Sequence, residues 1–143
     1  MENTLPATTR RIPSIAAAVV VLTLTTAYIH FSLGGVLFTL NAAGYAAFAV
    51  AMIVITAVPH PFVRRFDWAP RIGLVGYAAL TITAYLVIGP YFTLGWVAKA
   101  IEVAIIALAL VDLRHAFGTP AGLVRAALSS LGLRSDSPSV TVA

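Results

Sequence analysis

Four apolar stretches, each about the length of a membrane crossing and nearly free of charge, limit how this chain can fold. A helix that crosses the hydrocarbon core of a bilayer needs about 20 such residues. They fall at 13–31, 36–58, 72–88 and 96–113. Of the 143 residues, 60% are hydrophobic and 10% are charged, against about 25% charged in soluble domains. A water-soluble globule of this size leaves too much surface open to hide that apolar area. The composition excludes a disordered chain, a collagen, a coiled coil and a nucleic-acid-binding domain. The expected fold is all-α: a polytopic membrane protein built as an antiparallel bundle of four transmembrane helices.

The breaks between spans fit that reading. Ser32-Leu33-Gly34-Gly35 provides a tight reversal, Pro59-His60-Pro61 stops the second span, and Gly89-Pro90 stops the third. The first span is longer than the apolar part of a signal peptide, so it is expected to be retained as a helix. Residues 1–12 read as an N-terminal tail and 13–117 as the bundle. Residues 118–143 read as an amphipathic interfacial helix, capped by Thr119 with Pro120 in its first turn, followed by a disordered tail from Ser135.

Charge sets the expected orientation. Arg10 and Arg11 precede the first span, Arg64, Arg65 and Arg71 lie between the second and third, and Arg114, Arg125 and Arg134 follow the fourth. Eight of the nine basic residues therefore share one side, which the positive-inside rule makes cytoplasmic. Both termini are expected in the cytoplasm and the protein in the inner (plasma) membrane. The net charge of +4 is on this account a topology signal, and no nucleic-acid partner is expected; the partner is the lipid bilayer. The chain has no cysteine, which excludes disulfides, thiolate metal sites, iron–sulfur clusters and thiol redox chemistry.

Polar residues carry the information in a membrane span, because each costs energy unless it is paired. Lys99 and Glu102 stand three positions apart on one face of the fourth span. An unpaired charge at mid-helix costs about 2.5–3.5 kcal/mol on insertion scales. Two readings of the pair stay open. It is a proton or ion relay or the polar anchor of a small-molecule site, or it is a fixed ion pair that locks the fourth span to its neighbours. His30 closes the first span, and Asn41, Tyr45, Phe48 and Met52 form a stripe on the second. If that stripe and Lys99/Glu102 face inward, His30, Asn41, Tyr45, Lys99 and Glu102 enclose a polar pocket in the outer half of the bundle. Tyr91, Phe92 and Trp96 read as an interfacial aromatic belt. Asp67, Arg71 and Asp112 read as headgroup-level residues without assigned chemistry.

The site chemistry narrows the functional classes. His30 lies at the outer end while His60 and His115 lie at the inner end, which argues against a bis-histidine haem and against a zinc or copper site. No phosphate-binding glycine loop is present, and Ser32 has no nearby base. No catalytic residues, no metal and no cofactor are assigned, although a quinone or another apolar ligand would need only a slot and one or two hydrogen-bonding groups.

The segments His30-Phe31-Ser32-Leu33-Gly34-Gly35, Leu40-Asn41-Ala42-Ala43-Gly44-Tyr45 and Gly95-Trp96-Val97-Ala98-Lys99-Ala100-Ile101-Glu102 together resemble a group of small four-helix integral membrane proteins of bacteria and archaea without an assigned activity. The resemblance covers the four spans and implies that His30, Asn41, Lys99 and Glu102 form one constellation. It implies no enzymatic function. Small multidrug exporters, with their carboxylate on the first span, and quinone-linked disulfide enzymes, with their cysteines, fit less well. The expected role is that of a non-enzymatic accessory or scaffold subunit that forms homo-oligomers or joins other membrane subunits. Small-residue ridges at Ala43/Ala47/Ala51 and Ala100/Ala104 are the expected contact surfaces. The alternatives are a small proton-coupled transporter built on Glu102 and Lys99, or a quinone- or pigment-associated subunit.

Overall fold

The computed structural model describes residues 13–133, and among these every regular element is a helix. They are α1 (Pro13–Leu33), α2 (Val36–Ala57), α3 (Pro61–Arg65), α4 (Trp68–Ile88), α5 (Thr93–Phe117) and α6 (Pro120–Ser130). Helices α1, α2, α4 and α5 are long and apolar enough to cross a membrane. The chain is a multi-pass membrane protein with an all-α, four-helix bundle fold. Residues 1–12 and the tail from Ser135 lie outside the described residues.

Helix is the only local structure that an isolated span can adopt in lipid, because its backbone groups are then satisfied within the segment. Threonine hydroxyls follow the same rule: Thr23, Thr25, Thr56 and Thr83 each donate to the carbonyl four residues back, at 2.7–2.9 Å. The α1–α2 reversal takes only two residues, because Gly34 and Gly35 both adopt positive φ, +69° and +82°, a region open to glycine at little cost.

Around the bundle the order is α1, α2, α4, α5, with α5 closing back on α1. The central layer contains Val19, Tyr45, Met52, Leu74, Ala78 and Ile105. Outward faces are apolar, as at Val21, Leu40, Leu80 and Val103, which suits contact with acyl chains.

The structure corrects the expected span limits in one consequential way. Helix α4 starts at Trp68 instead of residue 72, and α5 runs on to Phe117 instead of ending at 113. The added turns carry Arg71 and Asp112 into the bundle, where both are buried. The alanine rows expected as subunit contact surfaces face outward, with Ala43, Ala47 and Ala100 exposed, while within the bundle α2 packs through Ala42, Tyr45, Ala49 and Met52. Physically, the polar stripe on each helix must face inward, and the alanine row lies on the opposite side.

Helix α6 crosses the end of the bundle against α4 and α5. Thr119 accepts from the Gly122 amide at 3.1 Å, as an N-cap. At the other end, Arg65 Nε donates to the Ser130 carbonyl at 2.7 Å and Trp68 Nε1 donates to Ser130 Oγ at 3.0 Å. Val124, Leu128 and Leu131 remain exposed together on one face, the arrangement of a helix seated in the interface.

Candidate functional site

Two buried ionic clusters sit at different depths, ten residues apart on α5, or roughly 15 Å at the helical rise. The one nearer the Gly34/Pro90 end centres on Glu102, which is 0% exposed. Lys99, one turn earlier on the same helix and 7% exposed, donates to both carboxylate oxygens, at 2.8 and 2.6 Å. Thr81 of α4 donates to Glu102 Oε2 at 2.9 Å, and Thr26 of α1 approaches Oε1 at 3.5 Å. The Tyr45 hydroxyl lies 2.7 Å from Thr81 Oγ1. Thr81 has one proton, and a carboxylate is the stronger acceptor, so Tyr45 donates to Thr81 and Thr81 donates to Glu102. All four crossing helices thus meet at one carboxylate.

His30 is buried in the last turn of α1, with Nε2 3.6 Å from Glu102 Oε1. Its Nδ1 lies 2.8 Å from the Thr26 carbonyl. A carbonyl only accepts, so Nδ1 carries a proton. The imidazole also stacks obliquely on Tyr45, with ring centroids 5.5 Å apart. Asn41 does not touch Glu102. It joins through aromatic neighbours: Tyr77 donates to Asn41 Oδ1 at 2.7 Å, and the Tyr77 ring meets Tyr45 edge-on at 4.9 Å.

Lys99 does not snorkel to the interface. It lies under the ring of Tyr85, 5.6 Å from the centroid, in a cation–π contact. Tyr85 is itself fixed by the α4–α5 turn, where its hydroxyl accepts from the Phe92 amide at 3.2 Å. Its ring lies over Gly95, where a Cβ would collide with it. Tyr91 and Trp96 stack on each other with centroids 5.9 Å apart and face outward.

In front of the Glu102 cluster lies a cavity of about 350 Å³. Its polar lining comes from His30, Asn41, Tyr77, Thr81 and Lys99, and its apolar walls from Leu37, Leu40, Leu80, Ala84 and Ile88, among others. These leucines and Ile88 are exposed, so the cavity opens sideways between α2 and α4 toward lipid. Glu102 lies behind the lining. The cavity therefore has the Lys99 side chain in its wall, while the counter-charge is hidden.

The second cluster corrects the expectation of headgroup-level charge at these positions. Arg71 is fully buried and donates through Nε to Asp112 Oδ2 at 2.6 Å and through Nη1 to the Asp67 carbonyl at 2.6 Å. Sequence reasoning also passes over Thr26, Thr81, Tyr77 and Tyr85 as partners. A signal for Arg71 is present: Asp67 with Pro70 three residues on marks a helix start before residue 71.

No protein-family model, curated protein or solved structure matches this chain. Function rests on the site's chemistry. Among the described residues no three His, Asp or Glu side chains gather as metal ligands. The site's resources are buried donors, one carboxylate and an apolar slot.

Removing one partner of a buried ion pair costs about 3–5 kcal/mol, more than replacing both by apolar groups. Lys99→Met and Glu102→Met are each expected to destabilise the bundle on that scale. The double variant should lose clearly less than the sum of the two. Thermal unfolding in mild detergent checks this, and simple additivity would contradict the coupling.

Proposed function

We propose that this protein is a non-enzymatic membrane protein that binds a lipid-soluble molecule through an oxygen-bearing head group in the cavity between α2 and α4. One observation carries this: a cavity with an apolar mouth on the lipid side and a floor of polar groups that includes the ammonium of Lys99. Cavities of about 300–1,000 Å³ with apolar walls and a few convergent polar groups are the usual form of small-molecule sites. The Asn41 carboxamide oxygen is occupied by Tyr77, and Lys99 uses two of its three donors on Glu102. Lys99 keeps its third donor and the Asn41 amide keeps its NH2 group, and a carbonyl or carboxylate head complements these. Quinones and acidic lipophiles share that chemistry. In this reading His30, Asn41, Lys99 and Glu102 act as one constellation, as the resemblance to other small four-helix membrane proteins implies. The basic residues at the α3/α6 end favour a cytoplasmic location for that end and for both termini, with the slot in the outer leaflet of the plasma membrane.

The test is analytical. Ala84 lines the slot but makes no polar contact with the Glu102 cluster. Organic extracts of the purified protein should contain a lipophile at near-stoichiometric amount, and Ala84→Phe, which fills the slot, should lose it while retaining the helical fold. Identical extracts from the two proteins would contradict the proposal.

A second reading, as a self-associating accessory subunit, is supported by Ala43 and Ala47. They form a small-residue row on the outward face of α2 that no helix among the described residues covers. Small residues let helices approach closely in lipid. Native mass spectrometry is expected to find a dimer or larger species that Ala43→Leu/Ala47→Leu reduces toward monomer. A wild-type monomer would remove this reading and leave the binding site intact.

A further inference from the structure

The protonation state of the site decides which class of head group the cavity accepts. His30 Nδ1 gives its proton to the Thr26 carbonyl at 2.8 Å. In the neutral imidazole Nε2 then carries a lone pair, yet this atom faces Glu102 Oε1 at 3.6 Å. Two lone-pair-bearing atoms confront each other unless a proton lies between them. The other titratable or charged groups facing His30 are Lys99 from α5, Tyr45 from α2 and, behind Tyr45, Tyr77 from α4. Neither tyrosine hydroxyl is aimed at this gap, since one lies against Thr81 and the other donates to Asn41.

With Lys99 and Glu102 ionised and His30 neutral, the charges of the cluster sum to zero. Placing a proton between His30 and Glu102 raises the sum to +1. A net charge in an apolar, water-poor slot is costly in either direction. An anionic head entering beside Lys99 without a proton leaves the cluster at −1, and a proton entering alone leaves it at +1. Together they restore zero.

Resting on the reading that the cavity binds a lipophile, we infer that it takes a lipophilic carboxylate, and that each molecule bound brings one proton onto the gap between His30 Nε2 and Glu102 Oε1. The hidden position of Glu102, behind the lining rather than in it, keeps the carboxylate of the protein away from that of the ligand.

The experiment uses the full chain in lipid nanodiscs with four probes: dodecanoate, dodecyl sulfonate and methyl dodecanoate, each with a twelve-carbon chain, and a neutral alkyl benzoquinone. Binding is read from tryptophan fluorescence, since Trp96 packs on the Tyr85 ring, 5.4 Å between centroids. The two anions are expected to bind at least tenfold more tightly than the ester. For the sulfonate, whose charge is fixed, affinity should fall about tenfold per pH unit above the range where the site loses its proton, as one-proton linkage requires. In weakly buffered solution, binding above that range should take up about one proton per sulfonate. His30→Gln should abolish the pH slope. The proton-uptake measurement on wild-type protein stands even if that variant does not fold. Equal binding of the ester, or anion binding with no proton uptake, overturns the inference. If a neutral quinone binds with no pH dependence while the anions do not, the inference fails and the cavity-binding reading survives. If neither anions, ester nor quinone bind and Ala84→Phe changes nothing, both fail.

Discussion

A carboxylate buried in the middle of a membrane bundle cannot be left without partners, and much of this structure answers that one requirement. Glu102 has no exposure and sits on α5, which packs against both α1 and α4. Water cannot solvate it there, so protein groups must. Lysine from its own helix, threonine from α4 and, at longer range, threonine and histidine from α1 converge on two oxygen atoms. Tyr45 from α2 joins through Thr81. Helix association in lipid lacks the hydrophobic drive available in water, and this network supplies directional contacts that fix the rotation of each helix about its axis.

The Arg71–Asp112 pair repeats the device at the other end. It ties α4 to α5, and Asp67 holds the guanidinium from its other side. Between the two ionic layers the core is apolar, with Met52, Leu74 and Ile105 fully buried. The two layers thus pin the bundle at both ends. They differ in what lies beside them: the Glu102 layer faces a slot whose walls are leucine and isoleucine and whose mouth is lateral. A molecule already dissolved in the bilayer reaches such a site without crossing water.

Most of the fold is legible in the sequence because the bilayer imposes a length and a polarity that can be read directly. The Gly34-Gly35 reversal, the inward stripe Asn41/Tyr45/Phe48/Met52 and the Lys99/Glu102 pair all come from spacing. What spacing cannot give is the neighbour across the bundle. Thr26 and Thr81 look like ordinary span threonines until the rotations of α1 and α4 bring them to Glu102. The alanine rows show the same limit, since a row of small residues names a surface without saying which way it faces, and the structure turns Ala43 and Ala47 outward. Arg71 escapes a reading by hydropathy alone, which starts α4 one turn late, while the cap and proline signals at Asp67 and Pro70 place the start earlier. His30 is recognisable as a polar residue at a helix end. That its Nε2 faces a carboxylate depends on the Thr26 carbonyl holding the other nitrogen, which is a matter of ångströms.

The central claim is that Lys99 and Glu102 are held together inside the bundle and are not dispersed to the interface and the lipid. Solid-state NMR on protein in bilayers, labelled with ¹⁵N at the Lys99 side chain and ¹³C at the Glu102 carboxyl, measures this directly through their dipolar coupling. The structure, with Nζ 2.6 and 2.8 Å from the two carboxylate oxygens, requires a strong coupling and no transfer of magnetisation from lipid acyl protons to the carboxyl. A weak or absent coupling, with the Glu102 carboxyl in contact with acyl chains, would contradict it.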